Sequence, residues 1–154
     1  MQLQPVFAPS HVQIIANIMQ SPLFVEGIFL VRRKSVKFIG VDHYGFVVSG
    51  KYLAYFDTSW KESKVIHKTN IGVHADTYFA SEWEIVEKIR DDQIPFAIFR
   101  TRLTLHDRYN VLSDNCEHFA RFVTTGKKES SQVQNVMALS VIGAVIYCAT
   151  REGH

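Results

Sequence analysis

The chain has 154 residues, which suits one domain because single hydrophobic cores commonly close at roughly 100 to 150 residues. A hydrophobic fraction of 47% and a charged fraction of 21% argue against disorder. The net charge of +2, from 17 basic and 15 acidic residues, excludes nucleic acid as the expected partner, since nucleic-acid binders usually carry a dense basic face.

The first 26 residues predict a short helix. Ser10 can cap it, apolar residues follow at helical spacing, and Ser21 and Pro22 end it. The opening sequence MQLQPVFAPSH lacks the basic region and continuous apolar run of a secretory signal. We therefore expect a helical segment over residues 1–26 and a cytoplasmic protein.

Four short β-rich runs follow the helical segment. They lie at residues 27–33, 43–49, 51–57 and 63–68, with Gly, Asp and Ser between them. Short runs with turn residues between them are typical of an antiparallel meander. We expect consecutive runs to be neighbours in one sheet.

A helical period returns after the strands. Ser81 can cap a helix over residues 81–92, and Pro95 can open another that ends near His106. The apolar side chains expected to face inward from these two helices are Trp83, Val86, Ile89, Phe96, Phe99 and Leu103.

The segment YNVLSDNCEHFARFVTTG, residues 109–126, predicts a further helix. One of the residues 113–115 can cap it, Cys116 lies in its first turn, and Gly126 ends it. A free thiol has a pKa of about 8.5 and is mostly protonated at neutral pH, so a nucleophilic cysteine needs a helix N-terminus, a cation or a base beside it. The backbone N–H groups of the same turn can also stabilise an oxyanion.

Cys116 has a simpler interpretation as a small buried hydrophobe on an amphipathic helix, which is what most free cysteines are. The polar residues around it, at positions 113–118, favour a functional cysteine instead. Cys148, the other cysteine, lies in an apolar stretch, so we expect no disulfide between the two.

Residues 115–119, Asn-Cys-Glu-His-Phe, resemble the NC motif of the lecithin:retinol acyltransferase family. Residues 43–50, His-Tyr-Gly-Phe-Val-Val-Ser-Gly, are similar to the histidine box of that family in order and spacing. The resemblance covers residues 27–133. It implies a catalytic domain with a circularly permuted papain-like (NlpC-type) α+β fold, in which an antiparallel sheet packs against helices.

The resemblance also implies a reaction. Cys116 would attack an acyl ester, and His43 would take its proton. The resulting thioester would pass its acyl group to an alcohol, an amine or water. The implied substrates are phospholipids or other acyl esters.

The third member of the site is a separate question. Family members place a second histidine twelve residues after the first, where this chain has Tyr55. A three-residue loop at 49–51 would set His43 opposite Asp57 and put Tyr55 on the same face. We expect Tyr55 to orient His43, with Asp57 as a second candidate. His67 is a third candidate if an insertion has moved the second histidine, and it is otherwise an exposed strand residue.

The apolar stretch VMALSVIGAVIYCA, residues 136–149, contains no charged residue. It is shorter than the roughly 20 residues of a transmembrane helix. Residues 134–154 therefore form either a helix packed on the domain or a tail that associates with a membrane, which the resemblance favours because vertebrate relatives carry an anchor there.

Three functions fit these features. The leading one is a thiol-dependent acyltransferase or phospholipase A-type hydrolase acting on glycerophospholipid acyl esters. A cysteine peptidase or deubiquitinase-like hydrolase is the second, although the EHF continuation of the motif favours lipids. The third is a non-catalytic module that binds proteins or membranes, which Tyr55 supports. We expect no cofactor or metal, because the histidines do not cluster at ligand spacing.

Overall fold

Five strands form one antiparallel sheet in the computed structural model, which describes residues 25–35 and 41–151. The strands are β1 (Gly27–Lys34), β2 (Asp42–Ser49), β3 (Lys64–Thr69), β4 (Gly72–Thr77) and β5 (Glu84–Lys88). Their order is β4-β3-β2-β1-β5, so β1 to β4 form a meander and β5 pairs with the other edge of β1. The predicted strands at 27–33, 43–49 and 63–68 are confirmed. The helix predicted within residues 10–22 lies outside the described residues.

The strand predicted at residues 51–57 is wrong. Gly50–Tyr55 form a 3₁₀ helix, and Leu53 turns into the core. Gly50 has a φ of +65°, a left-handed conformation that glycine adopts at little cost. The chain leaves the sheet at that point, and β3 pairs with β2 in place of the predicted strand.

The helix predicted over residues 81–92 is also wrong, because β5 (Glu84–Lys88) lies there. Trp83 and Ile89 flank the strand and are buried, whereas Val86 is exposed. The open edge of β1 offers backbone hydrogen bonds that a helix at this place would leave unused. Strand pairing therefore outweighs the helical spacing of the apolar residues.

Three α-helices follow the sheet: α1 (Ile94–Thr104), α2 (Cys116–Thr125) and α3 (Ser131–Arg151). Helix α1 confirms the second predicted helix, but the predicted inward face is wrong. Phe96, Phe99 and Leu103 are each more than half exposed. Ala97 and Thr101 face inward, and the Thr101 hydroxyl donates to the Ala97 carbonyl at 2.9 Å. Their small side chains let α1 pack closely on α2.

The sheet is covered on both faces. Helices α1 and α2 cover one face, where the contacting side chains include Ile28, Phe46, Val48, Ile66, Ala97, Phe119 and Val123. On the other face Tyr78 and Trp83 pack on Phe29, Val31, Val47 and Val65. The chain is therefore an α+β domain with an antiparallel sheet packed against helices.

Helix α3 departs from the domain after its first turn. Its large apolar side chains are 54 to 68% exposed. Residues Ser131–Cys148 are long and apolar enough to cross a membrane by length and composition, and none of that window is buried. Beyond that first turn, we see no packing of α3 on the domain among the described residues.

Candidate active site

The N-terminus of α2 is capped as predicted. The Asn115 side chain accepts hydrogen bonds at 3.0 Å from the backbone N–H groups of Glu117 and His118. The His118 ring in turn accepts from the Asn115 backbone N–H, which completes a capping box. Cys116 is therefore the first residue of a well-formed helix, and Gly126 ends that helix with a φ of +81°.

The turn before α2, residues 110–115, is also held in place by hydrogen bonds and an ion pair. A pair of backbone hydrogen bonds joins Asn110 and Asp114, and the Asn115 side chain donates to the Val111 carbonyl at 2.9 Å. The ammonium of Lys68, which is fully buried, lies 2.8 Å from the Asp114 carboxylate. This ion pair fastens the turn to the end of β3.

Burial raises the pKa of the Cys116 thiol, although backbone N–H groups of Tyr44 and Glu117 act in the opposite direction. The thiol is therefore protonated at neutral pH, and the helix N-terminus alone does not activate it. The contact with Tyr44 sets Cys116 against the β2 backbone, one residue after His43. The pairing of β2 with β3 has its last matched residues at Gly45 and His67, next to this point.

His43 contacts His67. The register of β2 and β3 sets Gly45 opposite His67, so the two imidazoles meet diagonally across the pair. His43 Nε2 lies 2.7 Å from His67 Nδ1, and the two rings are nearly perpendicular. His67 is only 5% exposed, so its interpretation as an exposed strand residue is wrong.

Asp76 extends this contact into a chain of three residues. His67 Nε2 lies 2.8 Å from Asp76 Oδ2, on the neighbouring strand β4. A carboxylate only accepts, so His67 donates through Nε2–H and, when neutral, accepts at Nδ1. His43 must then donate from Nε2, and its Nδ1 carries a lone pair. The network thus assigns His43 Nδ1 as the atom able to take a proton.

Both imidazoles are neutral at pH 7. Desolvation by burial, followed by the nearby charges of His67 and Arg33, lowers the pKa of His43 to about 4. Burial also lowers the pKa of His67, although Asp76 opposes that shift. Neutral His43 can accept a proton, but it is a weaker base than a solvent-exposed imidazole.

Tyr55 and Asp57 lie elsewhere. The Tyr55 ring stacks on Tyr52 with centroids 6.3 Å apart, and 57% of the residue is exposed. The Asp57 carboxylate accepts from the Ser59 backbone N–H at 2.8 Å. The predicted register that sets these residues opposite His43 is wrong, because β3 is the neighbour of β2. Among the described contacts, none joins the side chain of Tyr55 or Asp57 to His43.

The candidate site has two parts, the His43–His67 pair and Cys116, and they lie on different faces of the sheet. His43 and His67 are within 6 Å of the Trp83 ring, centroid to centroid, on the face opposite the helices. Helix α2 packs on the other face, where Ala120 contacts Tyr44. Among the described contacts no hydrogen bond joins His43 to Cys116. Among the described contacts, the Tyr44 backbone links Cys116 to the strand of His43, and the Lys68–Asp114 ion pair links the turn before Cys116 to the strand of His67.

Sequence reasoning missed Asp76, which is an exposed residue on β4, an edge strand with no buried residue. Within residues 25–35 and 41–151 we find no group of three His, Cys, Asp or Glu side chains that could hold a metal ion. No family model matches the chain, and no curated protein or solved structure matches it either.

Proposed function

We propose that this chain is a thiol-dependent acyltransferase or phospholipase A-type hydrolase that acts on glycerophospholipid acyl esters through an acyl-Cys116 intermediate. The observation that carries the proposal is the chain of hydrogen bonds from Asp76 through His67 to His43, which ends on the strand that touches Cys116. The resemblance of residues 43–50 and 115–119 to the two family motifs points the same way.

In this proposal His67, and not Tyr55, takes the place of the family's second histidine. The two histidines are 24 residues apart in the chain instead of twelve. The 3₁₀ helix Gly50–Tyr55 and the loop after it account for the added length. The order of the histidine strand before the cysteine helix supports a circularly permuted papain-like fold.

The proposed reaction has two steps. His43 Nδ1 takes the Cys116 proton, and the thiolate attacks the ester carbonyl to form a tetrahedral intermediate. Backbone N–H groups of the first turn of α2 stabilise the oxyanion. The intermediate collapses to a thioester as His43 returns the proton to the departing lysophospholipid hydroxyl. Water or another acceptor then attacks the thioester, with His43 as base, and restores the thiol.

The first step requires Cys116 Sγ and His43 Nδ1 to come within hydrogen-bonding distance. Catalytic hydrogen bonds are often long in a free enzyme and tighten only when substrate binds. We propose that the acyl ester enters where β2 and β3 cease to pair and draws the two groups together. Helix α3 would hold the domain at the cytoplasmic surface of a membrane, where such esters are found.

Release of fatty acid and lysophospholipid from phosphatidylcholine vesicles tests the proposal. We expect Cys116→Ala and His43→Ala each to lower the initial rate at least 100-fold, in line with loss of a nucleophile or base. Cys148→Ala is the matched control, because this exposed cysteine lies outside the site. Equal rates for wild type and Cys116→Ala would refute the proposal.

A non-catalytic module is a second candidate that two observations favour. The Cys116 thiol has a raised pKa, and the described contacts include no hydrogen bond from it to His43. Under this alternative Cys116→Ala keeps all biological activity of the wild-type protein. Complementation of a cellular phenotype by Cys116→Ala distinguishes the two proposals.

A further inference from the structure

Glu117, the residue after Cys116, is a fully buried carboxylate that connects two helices. It accepts hydrogen bonds from the side chains of Ser130 (2.6 Å) and Ser131 (2.7 Å), and from the backbone N–H groups of Ser131 and Gln132 (both 3.2 Å). It also pairs with Arg121 at 2.9 Å. A residue of α2 thus supplies the N-terminal cap of α3.

Gln132, in the first turn of α3, holds the beginning of β2. Its Oε1 accepts from the Asp42 backbone N–H at 2.8 Å, and its Nε2 donates to the Asp42 carbonyl at 3.0 Å. The same Nε2 lies 3.3 Å from Glu117 Oε2. Two opposed hydrogen bonds to one residue fix both the position and the rotation of the strand end, and the next residue is His43.

One side chain therefore joins the neighbours of both proposed catalytic residues. Asp42 precedes His43 and Glu117 follows Cys116, and Gln132 bonds to both. The two parts of the site are otherwise joined by the contact of Cys116 with the Tyr44 backbone and by the Lys68–Asp114 ion pair, which links β3 to the turn before α2. Gln132 adds a bridge that belongs to neither strand β2 nor helix α2 and that acts on the residues next to His43 and Cys116.

We propose that Gln132 is a positioning residue that fixes the position of His43 relative to Cys116. The first turn of α3 is then part of the active site. The inference rests on the proposed function. The same turn begins the helix that is suited to a membrane, so a lipid surface that seats α3 also fixes this bridge. The site would be complete only when the base of α3 is in place.

Gln132→Met tests the inference, because methionine keeps the length of the side chain and loses all three hydrogen bonds. Gln134→Met, at an exposed position on the same helix, is the matched control. We expect Gln132→Met to lower the maximal single-turnover rate of Cys116 acylation by phosphatidylcholine vesicles about tenfold or more, since small misplacements of reacting groups carry losses of that size. The lipid concentration for half-maximal rate should stay the same, because the Gln132 side chain bonds to Asp42 and Glu117 and its proposed role is to position them.

Amide hydrogen exchange gives a readout that does not depend on activity. Exchange of the Asp42 amide should accelerate in Gln132→Met, while the Phe46 amide, in the middle of β2, should exchange as in wild type. If Gln132→Met does not fold, Gln132→Asn keeps the amide but is too short to reach both partners, and it should show the same losses.

The outcomes separate this inference from the proposed function. If the wild-type protein forms no acyl adduct, the proposed function is refuted, and so is the positioning role that rests on it. A wild type that acylates, with Gln132→Met as fast as Gln134→Met, refutes the positioning role alone. In Gln132→Met, the half-maximal lipid concentration could rise by the same factor by which the rate at a fixed lipid concentration falls. That result would assign Gln132 to lipid binding and would also refute the positioning role.

Discussion

Replacing Glu117 by Gln removes a buried negative charge while it keeps the shape of the side chain. Burial alone would raise the pKa of Glu117, but the hydrogen bonds from Ser130, Ser131 and Arg121 outweigh it and lower the pKa from 4.5 to about 2. A fall of that size on folding corresponds to about 3 kcal/mol of stability at neutral pH. The amide keeps part of the hydrogen bonding, so we expect Glu117→Gln to lower the free energy of unfolding at pH 7 by about 2 to 3 kcal/mol.

The same pKa makes the loss depend on pH. Because the folded pKa of Glu117 lies below the unfolded value, the contribution is complete above about pH 5 and declines as the pH falls toward 2. The wild type loses about 2 kcal/mol of this contribution between pH 7 and pH 3, so the difference between wild type and Glu117→Gln should fall below about 1 kcal/mol near pH 3. Opposite behaviour, a difference that grows on acidification, would show that the carboxylate is not stabilised in the folded protein.

Urea unfolding in a mild detergent measures this difference, with tryptophan fluorescence as the signal because Trp83 is buried. Glu129→Gln is the matched control, since Glu129 is an exposed carboxylate in the connection between α2 and α3. We expect the control to change stability by less than about 0.5 kcal/mol. A loss below about 1 kcal/mol for Glu117→Gln at pH 7 would show that the buried carboxylate does not stabilise the fold, because such values are typical of exposed carboxylates.

Three further predictions concern the histidines and the C-terminal helix. His67→Ala should lower the acylation rate at least tenfold, whereas Tyr55→Phe should stay within about twofold of wild type, and the reverse order would restore Tyr55 to the site. The acylation rate should stay flat from pH 7 to pH 5, because the pKa of His43 is about 4 and the neutral base persists; a fall with a midpoint near 6.5 would indicate an ordinary exposed imidazole. Removal of residues 134–154 should release the protein from carbonate-washed membranes, and retention of the shortened protein would contradict an anchor in α3.

The motif helix can be predicted from the sequence because its signals are local. The cap at Asn115, the cysteine after it and the end at Gly126 all lie within one short stretch. The partner of His43 cannot be predicted in the same way, because it depends on how the chain leaves β2. The left-handed Gly50 starts a 3₁₀ helix there, and His67 arrives on the next strand in place of Tyr55.

The inward faces of α1 and β5 depend on the elements against which they pack, and local sequence patterns do not indicate those partners. The apolar spacing of Phe96, Phe99 and Leu103 fits a buried helix stripe, yet α1 presents smaller residues to α2 and leaves these three exposed. Similarly, β5 occupies residues with helical spacing because β1 has a free edge. Local periodicity therefore predicts the position of an element along the chain better than it predicts the element against which it packs.

The proposed function depends on an acyl-enzyme at Cys116, which intact mass spectrometry detects. The protein is mixed with phosphatidylcholine vesicles, quenched in acid within seconds and digested to locate the adduct. We expect wild type and Cys148→Ala to gain the mass of one fatty acyl group, bound to Cys116 as a thioester that hydroxylamine removes. Wild type that hydrolyses phosphatidylcholine with no adduct on Cys116, or an adduct that persists in Cys116→Ala, would show that Cys116 is not the nucleophile.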